Sequence, residues 1–276
     1  MTQKIEKIEA IASNYDVIVF DQWGVLHNGS KPYPGAIAAI DALQGQLAVL
    51  SNSGKRSAPN AERIIEMGFS ETAFDYVMTS GEALWRDVDG GQIAARNFYA
   101  VERTTGDATT WADGLDIDVV SDLGDADAIL MMGLPDGAHL DDWTEQLGRW
   151  NAKHLPMYCS NPDRKSPRAG GALVTSPGAL AFAYAEIGGT TTFYGKPHQR
   201  VFQALEAIFG PGNYLMVGDS MEHDIAGAHG VRWDSLLIQG GLYFDRFQTV
   251  DAEQVITEIA AEKKCALPTY RIEGLR

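Results

Sequence analysis

Asp21 closes a short apolar run, Val17-Ile18-Val19-Phe20, and is followed by Gln22, Trp23, Gly24 and Val25. A carboxylate at the end of a buried strand can be a covalent nucleophile toward phosphorus or carbon, or a metal ligand. A lone Asp just as commonly caps the turn that follows it. Here Gly24 lets the backbone turn closely, and Asn28-Gly29 is a hairpin signal. A short hairpin would then partly cover the position, with its His27 expected at the surface, the alternative being that it faces the ligand. A second acidic group lies far along the chain: Leu215-Met216-Val217 runs into Gly218-Asp219-Ser220, with Asp224 five residues beyond Asp219. Asp219 follows a strand and Asp224 falls early in the next helix, so both can approach one point. Two carboxylates facing Asp21 would repel without a cation, and hard oxygen donors in this arrangement suit Mg²⁺. N-capping by Asp219 and dipole complementation by Asp224 are compatible with that role.

Two further strand ends carry polar groups. Leu47–Leu50 leads into Ser51-Asn52-Ser53-Gly54, a hydroxyl and backbone N–H groups near a helix start that could cradle phosphate, or simply turn the chain. The segment lacks the first glycine and the spacing of a P-loop, which excludes nucleotide binding by that route. Gly195-Lys196-Pro197 is expected to open a helix. An ammonium there opposes the helix dipole, which points to a carboxylate or phosphoryl partner, the alternative being an exposed lysine. In the loop Asn161–Arg168, the cations Arg164, Lys165 and Arg168 stand out in an acidic chain. They would read an anionic substrate or remain solvated.

Alternating strand and helix signals must position these groups. Strand 16–20, helix 35–44, strand 47–50 and helix 57–67 form one stretch. Helix 199–209, strand 214–217, helix 222–229 and strand 235–238 form another. The pattern predicts an α/β fold with a doubly wound, mostly parallel sheet, whose ligands bind beyond the strand ends. Between the stretches, residues 82–185 have their own strand signals at 98–101, 117–120, 128–132 and 156–159. Helices are expected there near 107–113, 141–151 and 178–187. This segment reads as an α/β domain inserted into a core made of 1–81 and 186–276, with ligand in the cleft between them. Trp85, Trp111, Trp143 and Trp150 are expected in the core of the insertion, and residues 1–14 have amphipathic-helix spacing.

The chain has 276 residues, 45% of them hydrophobic and 21% charged, with a formal net charge of −15. These values describe an ordinary globular protein and argue against nucleic acid or an anionic membrane as partner. Cys159 and Cys265 suit neither a disulfide scaffold nor a thiolate metal site, and no apolar run is long enough for a bilayer. A cytoplasmic location is expected.

Taken in order, the four motifs resemble the haloacid dehalogenase (HAD) superfamily, in particular the class IIA branch with nagD-like and phosphoglycolate- or pyridoxal-phosphate-type phosphatases. The motifs are Asp21-Gln22-Trp23-Gly24-Val25-Leu26, Ser51 in Leu-Ser-Asn-Ser-Gly, Lys196 in Gly-Lys-Pro-His, and Gly218-Asp219-Ser220 through Asp224. Thr79-Ser80 and Ser160-Asn161-Pro162-Asp163 resemble segments flanking or inside the class IIA cap. The resemblance implies a Rossmann-like core with an inserted cap and a small phosphorylated metabolite as substrate. It implies that Asp21 forms an aspartyl-phosphate, and that Mg²⁺ is held by Asp21, Asp219 and the main-chain carbonyl of Trp23, with Asp224 in support. Ser51, Asn52 and nearby amides would bind phosphoryl oxygens, and Lys196 would screen the charge around the nucleophile.

Position 23 departs from the family pattern. Phosphatases of this superfamily usually have Asp there, as acid for the leaving group and base for water. An indole does neither, and such a loss typically costs about 10²–10⁴ in rate. Weakened hydrolysis is therefore expected, least for acyl or activated aryl phosphates. The alternatives are a phospho-ligand binder that does not turn over, an acid supplied by the cap, and carbon–halogen cleavage, which needs no metal.

Overall fold

The computed structural model describes residues 2–167, 173–248 and 251–275. The chain divides into two compact units, one of residues 1–51, 58–78 and 196–276, the other of 52–57 and 79–195.

The first unit is built on a seven-stranded sheet in the order Gln3–Lys4, Tyr270–Ile272, Asp234–Ile238, Tyr214–Gly218, Val17–Phe20, Gln46–Ser51, Tyr76–Thr79. The pairs from Gln3–Lys4 through Gln46–Ser51 are all parallel. Val17–Phe20 and Tyr214–Gly218 are buried at every position, which is why both read as unbroken apolar runs. They lie side by side in register, Tyr214 opposite Val17 and Val217 opposite Phe20. Asp21 and Asp219 therefore leave the sheet at the same edge. From Val17–Phe20 the chain moves outward to one side, and it returns later to Tyr214–Gly218 on the other. That reversal is the switch point where open α/β sheets bind ligands.

Most expected core elements are present, including helices Ala36–Ala42, Ser57–Glu66 and Gln199–Phe209. Two differ. Residues 1–14 are not one helix: Gln3 and Ile5 donate to Thr269 and Arg271 carbonyls at 3.0 Å, so the segment adds an edge strand, followed by the short helix Glu9–Ala12. Ile5, Ile8 and Ile11 are nevertheless buried. The expected helix 222–229 begins as a wider π-turn, Met221–Ile225, before Ala226–Gly230 continues it.

The second unit has a five-stranded parallel sheet in the order Thr191–Phe193, Met157–Cys159, Ala128–Met131, Asn97–Val101, Asp118–Val120. Trp111 and Trp150 lie in its core, while Trp85 and Trp143 are partly exposed. Its limits differ from the expected 82–185. Thr191–Phe193 pairs with Met157–Cys159, so the unit runs on to residue 195. Residues 52–57 join it through local bonds: Gly81 N–H to the Ser53 carbonyl at 3.0 Å, Thr79 Oγ1 to the Lys55 carbonyl at 2.6 Å, and Arg56 to Glu82 at 2.6 Å. Among the described residues, no helix is long and apolar enough to cross a membrane.

Candidate active site

Four of the expected side chains meet in the first unit. Lys196 Nζ lies 2.6 Å from Asp21 Oδ1 and 2.8 Å from Asp224 Oδ1. Asp21, Asp219 and Asp224 each offer one carboxylate oxygen, and these atoms lie within 4.8 Å of one another. The group is enclosed: Lys196 is 3% exposed, Asp219 7% and Asp224 fully buried.

Local backbone fixes each carboxylate. The Asp21 amide donates to the Val217 carbonyl at 2.9 Å, which extends the strand pairing by one residue. Asp224 Oδ2 accepts the amides of Asp219 and Ser220 at 3.1 and 3.0 Å, closing the turn after the strand. Ser220 caps the π-turn by accepting the His223 N–H at 3.2 Å. Single π-turns of this kind frequently occur at functional sites. Asp219 Oδ2 accepts the Leu242 amide at 2.8 Å. Gly24, at φ +82°, passes so close that a Cβ there would fall 1.6 Å from the same oxygen. A glycine is required at that position by both the dihedral and the space.

The charges do not balance. Burial raises the Asp21 pKa to about 6, with Asp224 adding to the rise and Lys196 opposing it. Burial, then Asp21 and Asp224, hold Asp219 well above the usual carboxylate range. Burial alone would lower Lys196, but the two carboxylates outweigh it and keep the ammonium charged. Three carboxylates around one ammonium leave a buried spot short of positive charge, and all the spare donors are hard oxygens. That donor set fits a divalent cation.

The remaining expected site residues fall elsewhere. Ser51 ends Gln46–Ser51, beside the strand that carries Asp21. Asn52 lies in the second unit, where its amide donates to Asp163 Oδ1 at 2.8 Å. Arg164 stacks on Phe182 at 4.1 Å and faces Glu186 at 3.6 Å, while exposed Lys165 opens a strand, Lys165–Pro167, that pairs with Leu173–Thr175. The three-cation loop is therefore partly a hairpin, with its arginine engaged locally, and Arg168 lies outside the described residues. Lys196 does not open a helix, since Gln199–Phe209 starts three residues later. Its anionic partners are the two carboxylates. His27 is not at the surface but fully buried, its Nδ1 accepting the Gly29 N–H at 3.1 Å. Burial, then Arg63, lowers its pKa to about 4.

Sequence reasoning missed the segment that holds Asp219 from the far side. Leu242 supplies the amide, and Tyr243 donates to Glu222, which also receives Lys263 at 2.6 Å. This network ties the 240–243 segment to the π-turn and to helix Ala252–Lys263. Gly240-Gly241, separated from the strand Asp234–Ile238 only by Gln239, signals a turn there but not the amide that the segment supplies.

A parallel sheet with an acidic cluster and a lysine at its switch point is an α/β architecture whose carboxylates could hold a divalent cation. The models for haloacid dehalogenase-like hydrolases and for HAD-hydrolase-like proteins match residues 18–102 and 193–259, in that order. The chain belongs to the HAD superfamily of hydrolases. A haloacid dehalogenase-like hydrolase from Brucella suis has 27% identity and a TM-score of 0.79, covering 99% of this chain and 100% of that one. The glycerol phosphate phosphatase of Mycobacterium tuberculosis, solved with magnesium, has 26% identity and a TM-score of 0.70, covering 89% and 73%. Chronophin of Rattus norvegicus is 26% identical over 271 residues, 94% of this chain and 85% of its own length.

Proposed function

We propose that this HAD-type phosphatase hydrolyses monoesters of a small phosphorylated metabolite through an aspartyl-phosphate on Asp21, with Mg²⁺ as its cation. The observation that carries the reading is Asp21 held 2.6 Å from Lys196, beside Asp219 and Asp224 with their oxygens within 4.8 Å. Asp21, Asp219 and the main-chain carbonyl of Trp23 would hold the ion, with Asp224 in support. When bound, Mg²⁺ supplies the positive charge that lets a phosphoryl group approach these carboxylates. Asp21 then attacks phosphorus, and the bond to the leaving oxygen breaks with its electron pair on that oxygen. Water attacks the same phosphorus and returns Asp21 as a carboxylate. Lys196 keeps the nucleophile ionised and positioned throughout, and Ser51, one strand over, is our candidate phosphoryl contact. Two free cysteines, Cys159 and Cys265, support a reducing compartment, and we place the protein in the cytoplasm.

Trp23 supports a second reading, a phospho-ligand binder that does not turn over, because its side chain offers neither proton donor nor base for ester chemistry. Phosphate release from a panel of metabolite and aryl phosphates, with and without Mg²⁺, separates the two. Mg²⁺-dependent release that disappears in Asp21→Asn is the expected result. Silence of the wild type on every substrate, with activity appearing in Trp23→Asp, would establish the binder instead.

A further inference from the structure

We infer that the leaving-group side of this site takes a flat, apolar group, so that aryl phosphates rather than polyol or sugar phosphates are its substrate class; this rests on the hydrolase reading above. Trp23 is two residues from the nucleophile, and 42% of its surface is exposed. An exposed apolar residue alone needs no function. This indole, however, is pinned. It lies against Gly29, where a Cβ would fall 2.3 Å from its Cζ2, and at φ +92° a side chain would in any case be strained. The His27 ring meets it edge-on at 6.2 Å between centroids.

The hairpin beneath is itself tied down. Gly24 N–H donates to the His27 carbonyl at 3.2 Å, Asn28 N–H to the Lys31 carbonyl at 3.0 Å, and Arg63 to the Gly29 carbonyl at 2.6 Å. A second exposed apolar side chain, Leu242, rises from the segment whose amide holds Asp219 Oδ2. Gly24, the residue after Trp23, lies against that same oxygen. The two segments enclosing Asp219 thus each present an apolar side chain to solvent, one of them a rigid aromatic face of the kind that stacks on flat ligands.

Leaving-group chemistry selects the same class. With no acid at position 23, the ester oxygen departs as an anion. A phenol, with pKa about 10, tolerates this far better than an alkanol, which is as weak an acid as water. Asp21 bonds to phosphorus as the P–O(aryl) bond breaks, its electron pair leaving on the aryloxide, which solvent protonates. Water then bonds to phosphorus as the P–O bond to Asp21 breaks and restores the carboxylate, and the water's proton passes to solvent.

The test is binding of phenylphosphonate and methylphosphonate, which this chemistry cannot cleave, to the Mg²⁺-loaded protein by calorimetry. Phenylphosphonate should bind the wild type about five- to tenfold more tightly. The preference, read as the ratio of the two affinities within each protein, should vanish in Trp23→Ala and return in Trp23→Phe. Equal affinities in the wild type, or a preference that survives Trp23→Ala, would overturn the inference. If phosphate release from esters persists in that case, only the stacking face is lost. If neither phosphonate binds and no ester is hydrolysed, the hydrolase reading falls with it.

Discussion

Asp219 and Asp224 are held by three backbone amides and shielded from water, whereas Trp23, two residues from the same nucleophile, leaves 42% of its surface to solvent and offers no ionisable group. One side of the centre carries what is needed to gather charge around a phosphoryl group. The other presents an indole, which on the proposed function moves no protons. On that function, the difference teaches that phosphoryl binding and proton transfer would be separable in this fold. The cation site would then depend on side chains at 21, 219 and 224, and position 23 would contribute only its backbone.

The largest expected effect breaks the first side. Asp21→Asn should lower Mg²⁺-dependent phosphate release by at least about 10³-fold, read by steady-state assay, because no other nucleophile replaces it. Trp23→Asp sharpens the second side. It should raise hydrolysis of alkyl phosphate esters by about 10²–10⁴-fold while changing aryl esters much less, measured as kcat/KM on paired substrates.

Two predictions concern stability. Lys196→Met removes the ammonium between Asp21 and Asp224 and leaves buried charge uncompensated. In the metal-free protein it should cost about 3–5 kcal/mol in chemical denaturation. His27 gives a pH test of the hairpin under Trp23. The unfolded ring takes up its proton near pH 6.5, the folded one only near 4. The contribution of the neutral buried ring is thus full above pH 6.5 and is lost as pH falls toward 4, by roughly 3 kcal/mol. Denaturation midpoints across that window should fall more steeply in the wild type than in His27→Asn. The smallest effect is expected from Tyr243→Phe, which loosens the segment holding Asp219 and should weaken Mg²⁺ binding about tenfold or less by calorimetric titration.

The core of the fold was legible because parallel strands buried on both faces read as unbroken apolar runs, and because Asp21 and Asp219 end two of them. The insertion's limits were not, since Thr191–Phe193 is a short, half-buried strand whose partner, Met157–Cys159, lies more than thirty residues earlier. Residues 1–14 misled for a related reason. Isoleucines at helical spacing are also satisfied by an edge strand followed by one turn of helix, and the sheet edge decided the outcome. In the site, side chains with charge were readable from type and position. The Leu242 amide was not, because a backbone donor leaves no mark in residue identity. His27 was misplaced because hairpin tips are usually exposed, whereas this ring packs beneath Trp23 and accepts a bond from its own turn. Arg164 looked available in a list of loop cations, but Phe182 and Glu186 sit within its reach.

The most direct test of a charge-gathering centre without its proton carrier is rapid mixing of the Mg²⁺-loaded wild type with 4-nitrophenyl phosphate. A fast release of close to one nitrophenolate per chain, followed by slow turnover, is expected, because Asp21 is phosphorylated readily and released slowly, with Trp23→Asp abolishing the burst by accelerating the second step. A linear trace of equal rate in both proteins, or no nitrophenolate from either, would contradict it.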